Sequence, residues 1–173
     1  MLDKIIEVVA GIWNQIVPCQ VVNHYNKGVM LRLGKFKKAI EPGFHWKIPF
    51  ADQIIDHTVV ATTMELSSQS LTTKDEKNIV VRGVVKYKIN DIETFLLDVY
   101  DAVDAISDMT MGTIKKVITS KTWEECKDDS IDDLITKKAR VEAKKWGIEI
   151  ISVTLTDLGV IRSIRLFNDR NGF

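Results

Sequence analysis

The chain has 173 residues, 45% of them hydrophobic and 28% charged, so it can bury one full-sized core or two small lobes and is not a disordered tail. Its 24 basic and 24 acidic side chains cancel, which argues against a dedicated nucleic-acid binder, because such domains carry a basic excess. Cys19 and Cys126 are too few for a disulfide framework and sit in no metal-like spacing, so a reducing compartment is expected.

The first predicted element is a helix over residues 1–18. Leu2, Ile5, Ile6, Val9, Ile12, Trp13 and Ile16 recur at helical spacing, while Asp3, Lys4, Glu7, Asn14 and Gln15 fall elsewhere, and Pro18 ends the run. Residues 5–17 would make a helix only about 20 Å long against a hydrocarbon core of roughly 30 Å, and Glu7 interrupts them. No small-x-small cleavage site precedes Pro18. The segment therefore reads as an amphipathic anchor, with Leu2, Ile5, Ile6, Val9, Ile12, Trp13, Ile16 and Val17 as candidate membrane contacts; packing of the same stripe on the domain's own core is the alternative.

Residues 19–90 read as β-rich. Residues 20–25 and 29–33 are short strand candidates around an Asn26-Lys27-Gly28 turn signal, and Glu41-Pro42-Gly43-Phe44 suits a type II turn. Residues 44–50 lead into an extended run over 54–66, and the polar TTKDEKN segment reverses the chain. The clearest strand spans residues 79–89, where Ile79, Val81, Gly83, Val85, Tyr87 and Ile89 alternate with Val80, Arg82, Val84, Lys86 and Lys88, giving one buried face and one largely wet face.

Beyond Asn90 the period becomes helical. Asp91 can cap a short helix carrying Ile92, Phe95, Leu96 and Val99, and Val103, Ile106, Thr110, Ile114, Val117 and Ile118 mark a second. Thr122 with Glu125 is a capping-box pattern, and Ser130 with Asp133 a weaker relative. Ile131, Leu134, Ile135, Val141 and Trp146 then form an apolar stripe, Gly147 is placed to end the helix, and residues 148–156 are a last strand. Strands, then helices, then one returning strand imply an α+β fold.

Three separated blocks, GVMLRLGKFKKAIEPGFHWKIPF, LTTKDEKNIVVRGVVKYKIND and WGIEIISVTLTDL, resemble the stomatin, prohibitin and flotillin group, the SPFH or band 7 domain, with the nearest likeness to its stomatin-like (slipin) branch. The resemblance spans residues 19–158 and leaves 159–173 as a short tail or stub helix. It implies a membrane-associated scaffold with its β-rich lobe near the bilayer, assembly with itself or with longer family members, and regulation of a membrane protease or channel. The long heptad-patterned helix of such proteins is not seen in the sixteen residues after Asp157, and Leu158-Gly159-Val160-Ile161 stands where relatives often carry proline. A phage or bacterial origin and a cytoplasmic membrane face are the corresponding expectations.

The first block, with the residue before it, gathers Lys27, Arg32, Lys35, Lys37, Lys38 and Lys47 against one acid, Glu41. Such a cluster is either a solvated strand face or, beside an amphipathic helix, a contact for anionic headgroups, where each cation is worth about 1 kcal/mol. Lys27, Arg32, Lys35, Lys37 and Lys38 are the candidate headgroup residues, and Trp13 and Trp46 suit a membrane interface. Enzymatic signatures are missing. His24, His45 and His57 have no second ligand at helical spacing, and HExxH, CxxC, G-x-S-x-G, P-loop and G-x-G-x-x-G patterns are absent, so no catalytic residue, metal or cofactor is expected. Three function classes remain: a scaffold bound to membrane lipids, a soluble module regulating a protease or a longer scaffold, and an enzyme.

Overall fold

The computed structural model describes residues 18–128 and 130–161; the predicted helix up to Val17, with all eight candidate membrane contacts, and the tail beyond Ile161 lie outside them. Among the described residues nine strands are formed: β1 (Cys19–Val22), β2 (Asn26–Arg32), β3 (Lys35–Ile40), β4 (Gly43–Trp46), β5 (Asp52–Thr58), β6 (Thr62–Glu65), β7 (Gln69–Thr72), β8 (Asn78–Ile89) and β9 (Ile148–Val160). Between β8 and β9 lie α1 (Ile92–Leu97), α2 (Ala102–Ile118), α3 (Trp123–Cys126), α4 (Ser130–Ala143) and a 3₁₀ turn (Lys144–Trp146). The architecture is the expected α+β.

The amino-terminal lobe holds an antiparallel β1–β4 ribbon and a β3-β2-β5 sheet around a small core of Val22, Met30, Ile40 and Ile54. In the larger lobe β8 is central. It pairs with β9 along its whole length on one edge, and with β7 and then β6 along the other. Its inward residues Ile79, Val81, Val85, Tyr87 and Ile89 meet Ile106, Ile114, Val117 and Ile118 of α2 and Ile131 and Ile135 of α4 in the main core. The alternation of β8 and the period of α2 thus build one interface. The lobes are joined by Val59 N–H donating to Tyr25 O (3.0 Å) and by the His57 ring against Phe95.

Three local signals past Asn90 act as expected. Asp91 caps α1 by accepting from Glu93 and Thr94 N–H, and the Thr122–Glu125 box caps α3. Gly147 adopts φ +72°, and a Cβ there would lie 2.6 Å from the Asp91 carbonyl oxygen, so glycine is required. Its own carbonyl accepts from both Asn90 and Asp91 N–H, locking the last strand to the start of α1.

Several boundaries differ from the sequence expectation. The first reversal falls at residues 23–25, because the Asn26 side chain is held across the sheet by Asp56 (2.6 Å) and Thr58 (3.1 Å), which draws Asn26, Lys27 and Gly28 into β2. No type II turn forms at Glu41–Phe44: Gly43 has φ +132°, more extended than the roughly +80° of that turn, and opens β4 opposite Val22. Ser130 is not a cap but the first residue of α4, its N–H donating to Asp128 Oδ1. Val141 is exposed. Ala139 and Ala143 take the inner positions of α4, since that helix lies against β9 and turns polar groups toward it. Leu158, Gly159 and Val160 extend β9 rather than starting a helix, because Val160 still pairs with Ile79.

The outer edge of β9 is covered in an orderly way. Arg140 donates to the carbonyls of Ile150 and Ile151 (both 2.9 Å), Thr136 exchanges bonds with Val153 N–H and C=O, and Asp132 accepts from Leu155 N–H. Residues 132, 136 and 140 are four apart, so one helix face satisfies an edge that would otherwise be open to pairing.

Candidate membrane interface

One end of the amino-terminal lobe is unusual for a soluble surface. At the β2–β3 turn Leu33 adopts φ +49°, with its N–H donating to Ala51 O (2.8 Å), and just before Ala51 Phe50 adopts φ +66°. Left-handed backbone costs a bulky residue about 1–2 kcal/mol, and the two side chains gain no burial in return, being 79% and 82% exposed. They border one cleft together with Gln20, Gly34 and Lys47. Two apolar residues therefore sit where asparagine or glycine would fit the backbone better and water would be better company.

The apolar surface continues onto the β1–β4 ribbon. Register places Val21 opposite Phe44 and Cys19 opposite Trp46, so these four share one face, and Phe44 and Trp46 meet edge to face at 5.7 Å. Trp46 is 69% exposed, and Val21, Phe44 and Ile48 are exposed as well. Lys47 N–H donates to Pro18 O (2.8 Å), so Pro18, the first described residue, lies beside this surface. An exposed apolar surface of several side chains marks an interaction site.

The basic candidates divide into two kinds. Arg32 binds Asp52 in bidentate fashion (2.6 and 2.8 Å), and Asp52 also accepts from Ile48 N–H; these bonds hold the Asp52 carboxyl well below the usual carboxylate range. That pair fixes the loop carrying Ile48 and Phe50 to the end of β2. Lys27 is paired with Glu41 at 2.8 Å. Lys35, Lys37 and Lys38 are exposed on β3 and make no ion pair among the described residues. The β2–β3 register steps from Met30↔Lys38 to Leu31↔Phe36, which leaves Lys37 as a bulge residue. The five candidate headgroup residues thus comprise two that are ion-paired within the lobe and three exposed lysines without an ion pair among the described residues.

Leu33, Phe50, Val21, Phe44 and Ile48 were not singled out by sequence reasoning. The available signal was local: a leucine directly before Gly34 in a tight hairpin and a phenylalanine directly after Pro49 have no packing partner within their turns. Among the described residues, no helix is long and apolar enough to cross a membrane, and no three His, Cys, Asp or Glu side chains converge as a metal site.

Residues 20–165 match the sequence profile of the SPFH domain / Band 7 family, and the chain belongs to that family. It is 26% identical over 152 residues to a protein of Acanthamoeba polyphaga mimivirus named for the band 7 family, covering 87% of this chain and 50% of that protein. An uncharacterized protein of Methanocaldococcus jannaschii is 28% identical over 140 residues, covering 80% of this chain and 70% of its own length. The Escherichia coli protein named modulator of FtsH protease HflK is 29% identical over 103 residues, covering 60% of this chain and 25% of that protein. The chain thus spans half or less of two of these three relatives.

Proposed function

We propose that this chain is a membrane-associated scaffold or regulatory subunit that lies on the bilayer through the tip of its amino-terminal lobe. The observation that carries the reading is the pair Leu33 and Phe50, exposed and held in left-handed backbone around a cleft that they share with Lys47, whose N–H donates to Pro18 O. Backbone strain at an exposed apolar residue is retained where the surroundings use it. A bilayer supplies the missing burial. Trp46 and Phe44 would sit at headgroup depth, with Lys35, Lys37 and Lys38 on the adjoining strand meeting anionic lipid, as on a cytoplasmic leaflet. The amphipathic stripe Leu2, Ile5, Ile6, Val9, Ile12, Trp13, Ile16 and Val17 would complete the same contact from residues 1–18, and residues 19–158 would form the domain it anchors.

A second reading is regulation of a membrane protease, favoured by the several relatives named HflK, one of which is named a modulator of FtsH protease. It shares the membrane step, and no catalytic group of this chain takes part in it. Vesicle flotation tests the common step. The full chain should float with vesicles containing anionic lipid at low and physiological salt; recovery in the soluble fraction under both conditions would refute the membrane reading.

A further inference from the structure

The cleft between Leu33 and Phe50 has apolar lips and a polar wall. Its volume is about 510 Å³, inside the range of about 300–1,000 Å³ typical of small-molecule sites. Four separate segments build it: Gln20 comes from β1, Leu33 from the β2–β3 turn, Lys47 and Phe50 from the loop after β4, and Asp52 and Gln53 from the start of β5. Lys47 brings a positive charge. Asp52, the acid in this wall, is already answered, because Arg32 binds it in bidentate fashion and its side chain is only 1% exposed. The amides are not answered: neither the half-buried Gln20 nor the exposed Gln53 makes a side-chain hydrogen bond among the described residues. The wall thus offers one cation and two carboxamides, each able to donate and accept, and no open carboxylate.

We infer that this cleft seats the headgroup of a polyol phospholipid, a phosphate bearing glycerol- or inositol-like hydroxyls, with Leu33 and Phe50 against the first methylenes of its acyl chains. Each part of the ligand answers one part of the wall. The phosphate calls for a cation, which Lys47 supplies. Hydroxyls donate and accept as carboxamides do, so Gln20 and Gln53 suit them better than they suit the methyl groups of choline. An ammonium headgroup would need a carboxylate, and that of Asp52 is taken by Arg32. The apolar lips select a lipid over a free polyol phosphate, since only the lipid brings chains to cover them. The inference rests on the membrane reading and adds selection to it: Lys35, Lys37 and Lys38 respond to charge, whereas the cleft distinguishes lipids of equal charge.

The test compares two sets of phosphatidylcholine vesicles with equal anionic content, one containing phosphatidylglycerol and the other phosphatidylserine, titrated into the full chain at physiological salt. Partition onto phosphatidylglycerol should be about tenfold stronger, as one or two additional net hydrogen bonds provide. Gln20→Ala combined with Gln53→Ala should bring it down to the phosphatidylserine level and leave phosphatidylserine binding unchanged. Soluble glycerophosphoglycerol, added in excess over the lipid, should leave the chain on the vesicle; release would assign the cleft to a free polyol phosphate and overturn the lipid seat. Equal partition onto the two lipids, or a preference that survives the double variant, would overturn the inference while the membrane reading stands. Failure to bind either set would remove the membrane reading and the inference with it. Should the double variant unfold more easily than the unaltered chain, Gln53→Ala alone, at an exposed position, should cut the preference by at least about threefold, and an undiminished preference would be equally fatal.

Discussion

Replacing Leu33 and Phe50 together with asparagine separates membrane affinity from stability, because the two quantities should move independently. Full burial of a leucine or phenylalanine side chain is worth about 1.5–3 kcal/mol. Both side chains are about four-fifths exposed in the fold, so nearly all of that is available to a bilayer. Half immersion at a headgroup interface gives about 1 kcal/mol each, or about 2 kcal/mol for the pair, which is about thirtyfold in the partition coefficient. Asparagine tolerates the left-handed backbone at φ +49° and φ +66° better than either native residue, so the unfolding free energy should hold or rise by up to about 1 kcal/mol. Lipid titration with neutral vesicles measures the first quantity and denaturant unfolding the second. A folded double variant that partitions within about threefold of the unaltered chain would refute the tip as a lipid contact. A loss of stability would show instead that Leu33 and Phe50 serve the fold.

Neutralising Lys35, Lys37 and Lys38 to glutamine should weaken binding to anionic vesicles by about 1 kcal/mol per charge at low salt and leave neutral vesicles unaffected, with added salt mimicking the change. Gly147→Ala should cost about 2–4 kcal/mol, combining left-handed strain with a Cβ driven against the Asp91 carbonyl, while Gly112→Ala, whose Cβ meets nothing within 4 Å inside α2, should stabilise by about 0.5–1 kcal/mol in the same denaturation assay. Thr136→Val should cost about 1–2 kcal/mol by stripping Val153 N–H of its acceptor on the β9 edge. Asp75 accepts from Thr73 Oγ1, Trp123 N–H and Lys77 Nζ, which lower its pKa to about 2. Its contribution is therefore fully present above the unfolded value near 4 and lost as pH falls from about 4 to about 2. Asp75→Asn should flatten the acid limb of an unfolding-midpoint profile in that window.

What was legible in the sequence were the features in which one residue type answers one local demand. The alternation of β8, the Asp91 cap, the Thr122–Glu125 box and the left-handed Gly147 each follow from chemistry within a few residues. What escaped depended on partners far along the chain. Asn26 reads as a turn residue until Asp56 and Thr58 bind it, and Val141 fits an apolar stripe until Asp132, Thr136 and Arg140 are found facing β9. The free lysines of β3 cannot be told from Arg32 and Lys27 before Asp52 and Glu41 are placed. Leu33 and Phe50 escaped for a different reason: hydrophobicity patterns report what a fold buries, and these two residues are left out of the core.

The pairing of β8 with β9 also bears on how the chain is made. Their partners lie about 60–80 residues apart, so this long ladder closes only after α1 to α4 have been synthesised. Until then one whole side of β8 has no neighbour, although its other side can already be paired by β6 and β7 as they precede it. A ribosome stalled before Ile148 would display that bare edge together with an α4 whose Arg140, Thr136 and Asp132 have nothing to hold. Such nascent chains are natural clients for a chaperone, and premature stops in this interval should yield aggregates rather than a smaller folded lobe.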